Sequence, residues 1–87
     1  MKYLIMCEGP NELEIIRMLL EHDKLIFTED DLLNLVPYHA RQVRNNAAVK
    51  NALNLYYGDV EVLRIGDKLN EELKIPKEYK GKIKNIR

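Results

Sequence analysis

The sequence predicts an α/β domain, a small parallel sheet with helices packed against it. Three observations predict it. A five-residue apolar run, Tyr3-Leu4-Ile5-Met6-Cys7, is followed at once by an amphipathic segment. A second run, Val60-Glu61-Val62-Leu63-Arg64-Ile65, alternates and is rich in β-branched residues. Helical patterns lie between the two, and strands that alternate with helices pair in parallel.

The first run is too short for a free-standing helix and suits a buried strand. After Glu8-Gly9-Pro10, residues Leu13, Ile16, Leu19 and Leu20 recur at spacings of three and four, which predicts a helix over 11–22. Asn11 can cap it, with Glu14 completing an N-x-x-E variant of the capping box. Leu25-Ile26-Phe27 reads as a second, brief strand or an extended connection. Thr28 caps an acidic turn, Glu29-Asp30-Asp31, with Leu32, Leu33 and Leu35 after it and Pro37 as its stop. A longer helix is expected over 40–57, with Val43, Ala47, Ala48, Ala52 and Leu55 on one face and Gly58 ending it. The alternating run over 60–65 is a strand. Beyond Gly66-Asp67 the chain is mostly polar, with Pro76 starting a short helix that Gly81 ends. This stretch reads as a basic tail that either touches nucleic acid or is a frayed terminus.

At 87 residues the chain allows one small domain, 1–87, whose buried fraction is modest. A partner subunit, a metal ion or a longer parent protein would add stability, and dimerisation would cover any apolar surface left open. Fourteen basic and 14 acidic residues give a formal net charge of zero. That argues against a general polyanion-binding surface and leaves room for a local basic patch. A single cysteine permits no internal disulfide, and its place in the apolar run predicts a buried, inert thiol. No secretory signal and no bilayer-length apolar stretch is seen, so the default compartment is the cytoplasm and no membrane partner is expected.

Right-handed crossovers point the carboxyl ends of the strands the same way. This brings Glu8 and Asp67 to one edge of the sheet, where α/β folds bind their ligands. Glu12, in the first helical turn, is the third acidic group. Carboxylates gathered in this way form a hard-oxygen site suited to Mg²⁺ or Mn²⁺, usually shared with a phosphate. Simpler roles stand beside this one: Glu12 complements a helix dipole, and Asp67 starts a turn. Glu8, set between a buried strand and a Gly-Pro pair, has no common structural role. Tyr38, His39, Arg41, Arg44 and Lys50 make a second cluster. Arg41 and Arg44, three apart on the expected helix, share a face and could grip phosphates; the simpler reading is a solvated helix face. His39 is a weak acid/base candidate, His22 complements a helix dipole, and Tyr56 and Tyr57 are packing residues, although one ring could stack on a base.

An apolar strand, then Glu8-Gly9-Pro10-Asn11-Glu12, then Ile15-Ile16, resembles the first motif of the Toprim domain. The E-G-x-x-E form is similar to that of the overcoming-lysogenization-defect family nucleases and the small Toprim ribosomal-RNA maturases. The resemblance implies a Rossmann-like α/β fold, a Mg²⁺ cofactor for which Mn²⁺ can substitute, and cleavage of DNA or RNA phosphodiesters. The family's glutamate after the first strand, a general acid/base or metal ligand, falls on Glu8, and its helix-turn acid falls on Glu12. The second motif, Asp-x-Asp, supplies Asp67 as a ligand, while Leu69 stands where the second Asp would be. The resemblance thus places catalysis at Glu8 and metal at Glu8, Glu12 and Asp67; beside them, Arg41, Arg44 and Lys50 of the basic cluster are the nucleic-acid-binding candidates. The missing aspartate and the short chain fit two further expectations. One is the N-terminal part of a longer protein. The other is a degenerate, non-catalytic regulatory or interaction module of phage or mobile-element origin.

Overall fold

The computed structural model describes residues 1–66 and 72–86. Four strands form one parallel sheet: β1 (Lys2–Cys7), β2 (Tyr38–His39), β3 (Val60–Ile65) and β4 (Ile83–Ile86). Their order across the sheet is β2-β1-β3-β4. Two helices, α1 (Pro10–Glu21) and α2 (Ala47–Leu55), flank it. The expected α/β class, a small parallel sheet with flanking helices, is what the chain adopts.

Side chains of a strand alternate between the two faces, and β1 is buried on both. Leu4 and Met6 join one apolar cluster with Val49, Ala52 and Leu53 of α2 and Val60 and Val62 of β3. Ile5 and Cys7 join another with Ile16 and Leu20 of α1 and with Leu32. The helices therefore cover opposite faces. Burial of both faces also explains why Glu61, in the middle of β3, is only 2% exposed.

Helix α1 starts one residue earlier than expected. Gly9 is its N-cap, in extended geometry, and Pro10 holds the first helical position, where its fixed φ suits the turn and its missing N–H costs nothing. The Asn11–Glu14 capping box therefore does not form. Leu25-Ile26-Phe27 is a connection with no strand. Phe27 packs on Tyr3 with ring centroids 5.2 Å apart, while Ile26 is fully exposed. At Glu29–Asp31, a single 3₁₀ turn, the Asp31 carboxylate accepts from the Thr28 N–H at 3.0 Å, as the capping pattern predicts.

The largest correction concerns the segment 40–57. The helix occupies only Ala47–Leu55. Asn46 caps it, its side-chain oxygen accepting from the Val49 N–H at 3.0 Å, which fixes the start at that point. Residues 40–46 form an irregular loop whose Val43 and Gln42 are buried. Gly58 is no C′ residue either: the helix ends at Leu55, with Tyr56 as its cap. Gly58 is needed for space, because a Cβ there would collide with the Tyr56 ring.

The polar C-terminal stretch folds. Pro76 precedes a 3₁₀ turn, Lys77–Tyr79, and the chain then enters β4, which pairs with β3. Tyr79 is buried and its hydroxyl donates to Asn54 Oδ1 at 2.7 Å. Lys82 Nζ bonds the Leu53 carbonyl, and Lys84 pairs with Asp59 at 3.9 Å. No helix among the described residues is long and apolar enough to cross a membrane.

Candidate functional site

Strand order decides where a site can form. The chain passes from β1 to β2 on one side, then returns to β3 on the other. The gap between the carboxyl ends of β1 and β3 is thus the topological switch point, the usual ligand crevice of such sheets. Register makes this edge level: Cys7 pairs with His39 in β2 and with Ile65 in β3. One residue further, the Glu8 N–H donates to the Ile65 carbonyl at 2.8 Å, and the Ala40 N–H donates to the Cys7 carbonyl at 3.0 Å.

Glu8 is therefore fixed by its main chain at the switch point, between Ala40 and Gly66. Its side chain is three-quarters buried. Oε1 lies 3.7 Å from Arg41 Nε, an ion pair too long for a hydrogen bond. Oε2 is buried and has no hydrogen-bond partner among the described residues. His39, at the end of β2, places Nε2 3.2 Å from the Glu8 main-chain oxygen.

Glu12 is half-buried in the first turn of α1, where a negative charge complements the helix dipole. Its carboxylate folds back over Gly9, so a Cβ at Gly9 would meet Oε2 at 2.6 Å. A glycine at this position leaves the strand-to-helix turn open to the acid. Asp67, the third expected ligand, lies outside the described residues. Among the described residues no group of three or more His, Cys, Asp or Glu side chains stands close enough together to hold a metal ion.

The basic residues are distributed otherwise than expected. Arg41 and Arg44 lie in the loop after β2, not on one face of a helix, because Asn46 delays the helix start. Both are exposed. Arg41 reaches the Glu8 edge and lines a cavity of about 200 Å³ together with Ala40, Gln42, Asn45 and Asn46. Lys50 is half-buried in the first half of α2. Gln42, which the sequence did not single out, holds the loop in place. Its side chain is buried, donates to the Glu72 carbonyl at 3.0 Å and accepts from the Lys74 N–H at 2.9 Å.

Cys7 lies immediately before Glu8, completely buried. Burial, reinforced by the negative charge of Glu12 and opposed by Arg17, pushes its thiol up from 9.0 to about 11. The burial expected from its apolar run is what the strand provides.

No protein-family model matches the chain, and no solved structure matches it significantly. A curated protein of Mycoplasmopsis pulmonis (strain UAB CTIP), named peptide methionine sulfoxide reductase MsrA, is 32% identical over 75 residues. The match covers 80% of this chain and 44% of that protein, so the chain spans less than half the length of this relative.

Proposed function

We propose that the chain is a Mg²⁺-dependent, nucleic-acid-processing domain of the Toprim type that cleaves phosphodiesters, with Mn²⁺ able to replace Mg²⁺. The observation that carries this reading is the Glu8 carboxylate. It stands at the switch point of a parallel sheet, with one oxygen withdrawn from water and no donor on it. A buried carboxylate oxygen without a partner is costly unless a proton or cation meets it. Carboxylate oxygens suit a hard divalent cation, so the residues present fit such an ion. Glu8 and Glu12 would hold it, with Asp67 as the third candidate. When bound, the ion would supply positive charge to a phosphodiester oxygen. Arg41 and Arg44 would bind neighbouring phosphates from the loop after β2, and Lys50 would add charge from α2, as positioning contacts without sequence readout.

A second reading has its own support. Glu8 already faces Arg41, and the described residues hold no three-membered ligand cluster. Both fit a silent Toprim-like module that keeps the fold and binds a partner. The activity for which the reductase relative is named has no such support. A thiol is the side chain of this chain that could reduce a sulfoxide, and Cys7 is buried with its thiolate strongly disfavoured.

Thermal unfolding with and without Mg²⁺ or Mn²⁺, followed by cleavage assays on DNA and RNA, separates the readings. A ligand that binds only the folded state stabilises it, so the working domain unfolds roughly 10–20 °C higher at metal concentrations of about 100 times Kd. Glu8→Gln abolishes both the shift and cleavage. Metal response and cleavage that survive Glu8→Gln would remove Glu8 from the chemistry. A wild-type protein indifferent to metal and inert toward nucleic acid would leave the silent module.

A further inference from the structure

We propose that Arg41 is an internal counter-cation for Glu8. It holds the carboxylate in the free protein and is released to a nucleic-acid phosphate when a divalent cation takes Glu8. Metal and nucleic acid then bind with positive coupling. This inference rests on the metal-site reading above and names the regulation of that site.

The geometry favours exchange over permanence. Arg41 Nε is 3.7 Å from Glu8 Oε1, which is attraction between charges without a hydrogen bond to fix it. The Arg41 side chain is 68% exposed and the Glu8 side chain 25%. The two partners are thus unequal: Glu8 is set in the edge, while Arg41 reaches it from solvent. An ion pair with one so exposed member is weak. A divalent ion on the same carboxylate would repel the guanidinium at this distance.

The released side chain stays at the same edge. The main chain next to Arg41 is anchored, since the Ala40 N–H donates to the Cys7 carbonyl at 3.0 Å. Only the side chain has to turn. It already lines the cavity of about 200 Å³ that Asn45 and Asn46 border at the start of α2. A planar guanidinium matches a phosphate with two parallel donors, which its long contact to Glu8 does not use. One side chain therefore serves the free state through its charge and the bound state through its hydrogen bonds. By linkage, whatever nucleic acid gains from the release is gained equally by the metal.

The test uses the full chain as wild type, Arg41→Gln, Arg41→Lys and Glu8→Gln. Mn²⁺ binding is measured by titration calorimetry. Binding of a fluorescent, phosphorothioate-linked single-stranded oligonucleotide is measured by anisotropy with and without Mn²⁺. Removing the competing charge should tighten Mn²⁺ binding about threefold to fivefold in Arg41→Gln, the scale of an exposed ion pair. Arg41→Lys, which keeps the charge, should bind Mn²⁺ as the wild type does. The tightening of oligonucleotide binding by Mn²⁺ should shrink in Arg41→Gln by about the same factor. If the wild type binds Mn²⁺, Glu8→Gln does not, and Arg41→Gln binds it no more tightly, the counter-cation role is overturned while the metal site stands. If neither the wild type nor Arg41→Gln binds Mn²⁺ saturably, the metal site and the counter-cation role fall together.

Discussion

His39 Nε2 lies 3.2 Å from the main-chain oxygen of Glu8, bridging the ends of two adjacent strands. The acceptor is a carbonyl, so this is a hydrogen bond only when Nε2 carries the proton. The bond matters because β2 has just two residues, Tyr38 and His39; it adds a side-chain tie to the main-chain bond from Ala40 to Cys7. The His39 carbonyl receives a longer bond, 3.4 Å, from Asn46 Nδ2. His39→Ala should therefore destabilise the protein by about 0.5–1.5 kcal/mol, the range of one net hydrogen bond. Urea unfolding monitored by circular dichroism measures this directly. A variant as stable as the wild type would show that strand pairing alone secures the edge.

Gln42 should prove far more costly to replace than its position in a loop suggests. Its amide satisfies two main-chain groups 30 and 32 residues away, the Glu72 carbonyl and the Lys74 N–H. Gln42→Ala removes both of these part-buried bonds, at about 0.5–1.5 kcal/mol for each. Small domains have only about 5–15 kcal/mol in total. Gln42→Glu discriminates further, because a carboxylate keeps the bond from Lys74 but sets an oxygen against the Glu72 carbonyl. Both variants should lower the urea midpoint. Equal stability of Gln42→Glu and wild type would mean that the Glu72 contact contributes nothing.

The elements legible in the sequence were those whose periodicity the sheet itself imposes. The apolar run of β1, the three-and-four spacing of α1 and the alternation of β3 each report burial directly. Strand β2 gives no such signal, since two residues cannot show a period and their pairing depends on register with Met6 and Cys7. Strand β4 is an edge strand that buries only Ile83 of its four residues, so its polar composition read as a tail. In the segment 40–57, apolar spacing suggested one helix, but Asn46 binding the Val49 N–H set the start seven residues later than expected. The same distinction holds at the site. Glu8 could be singled out because a carboxylate between strand and Gly-Pro is chemically unusual. Its meeting with Arg41 could not, because it depends on β2 lying beside β1.

Leu35 offers a substitution expected to stabilise. Its φ is 66°, in the left-handed region, and Asn34 before it is at 57°. Asparagine tolerates this conformation and leucine does not. Leu35 is 55% exposed, so its side chain recovers little from burial. Its N–H donates to the Leu32 carbonyl at 3.0 Å, a bond any residue can make. Leu35→Gly should therefore raise stability, by about 0.5–1 kcal/mol after the extra entropy of an unfolded glycine is set against the relieved strain. Differential scanning calorimetry would register an increase in Tm. A fall in Tm would mean that the half-exposed side chain contributes more by packing than its backbone costs.

Cys7 makes stability depend on pH in a direction that can be worked out. Its thiol is pushed up from 9.0 to about 11, first by burial and then by Glu12. Between these values the unfolded chain loses the thiol proton while the folded protein keeps it. The unfolded state then binds fewer protons, so stability falls as pH rises through that window. The full difference corresponds to about 2–3 kcal/mol once pH exceeds the upper value. Tyrosines and lysines titrate over the same range, so the comparison is with Cys7→Ala, whose stability should fall less steeply from pH 9 to 11. In the same way, a thiol reagent at pH 8 should label the folded protein only as fast as it opens, and label the urea-unfolded chain at once. Rapid labelling of the folded protein at pH 8 would show that β1 and α1 do not seal the strand end against solvent.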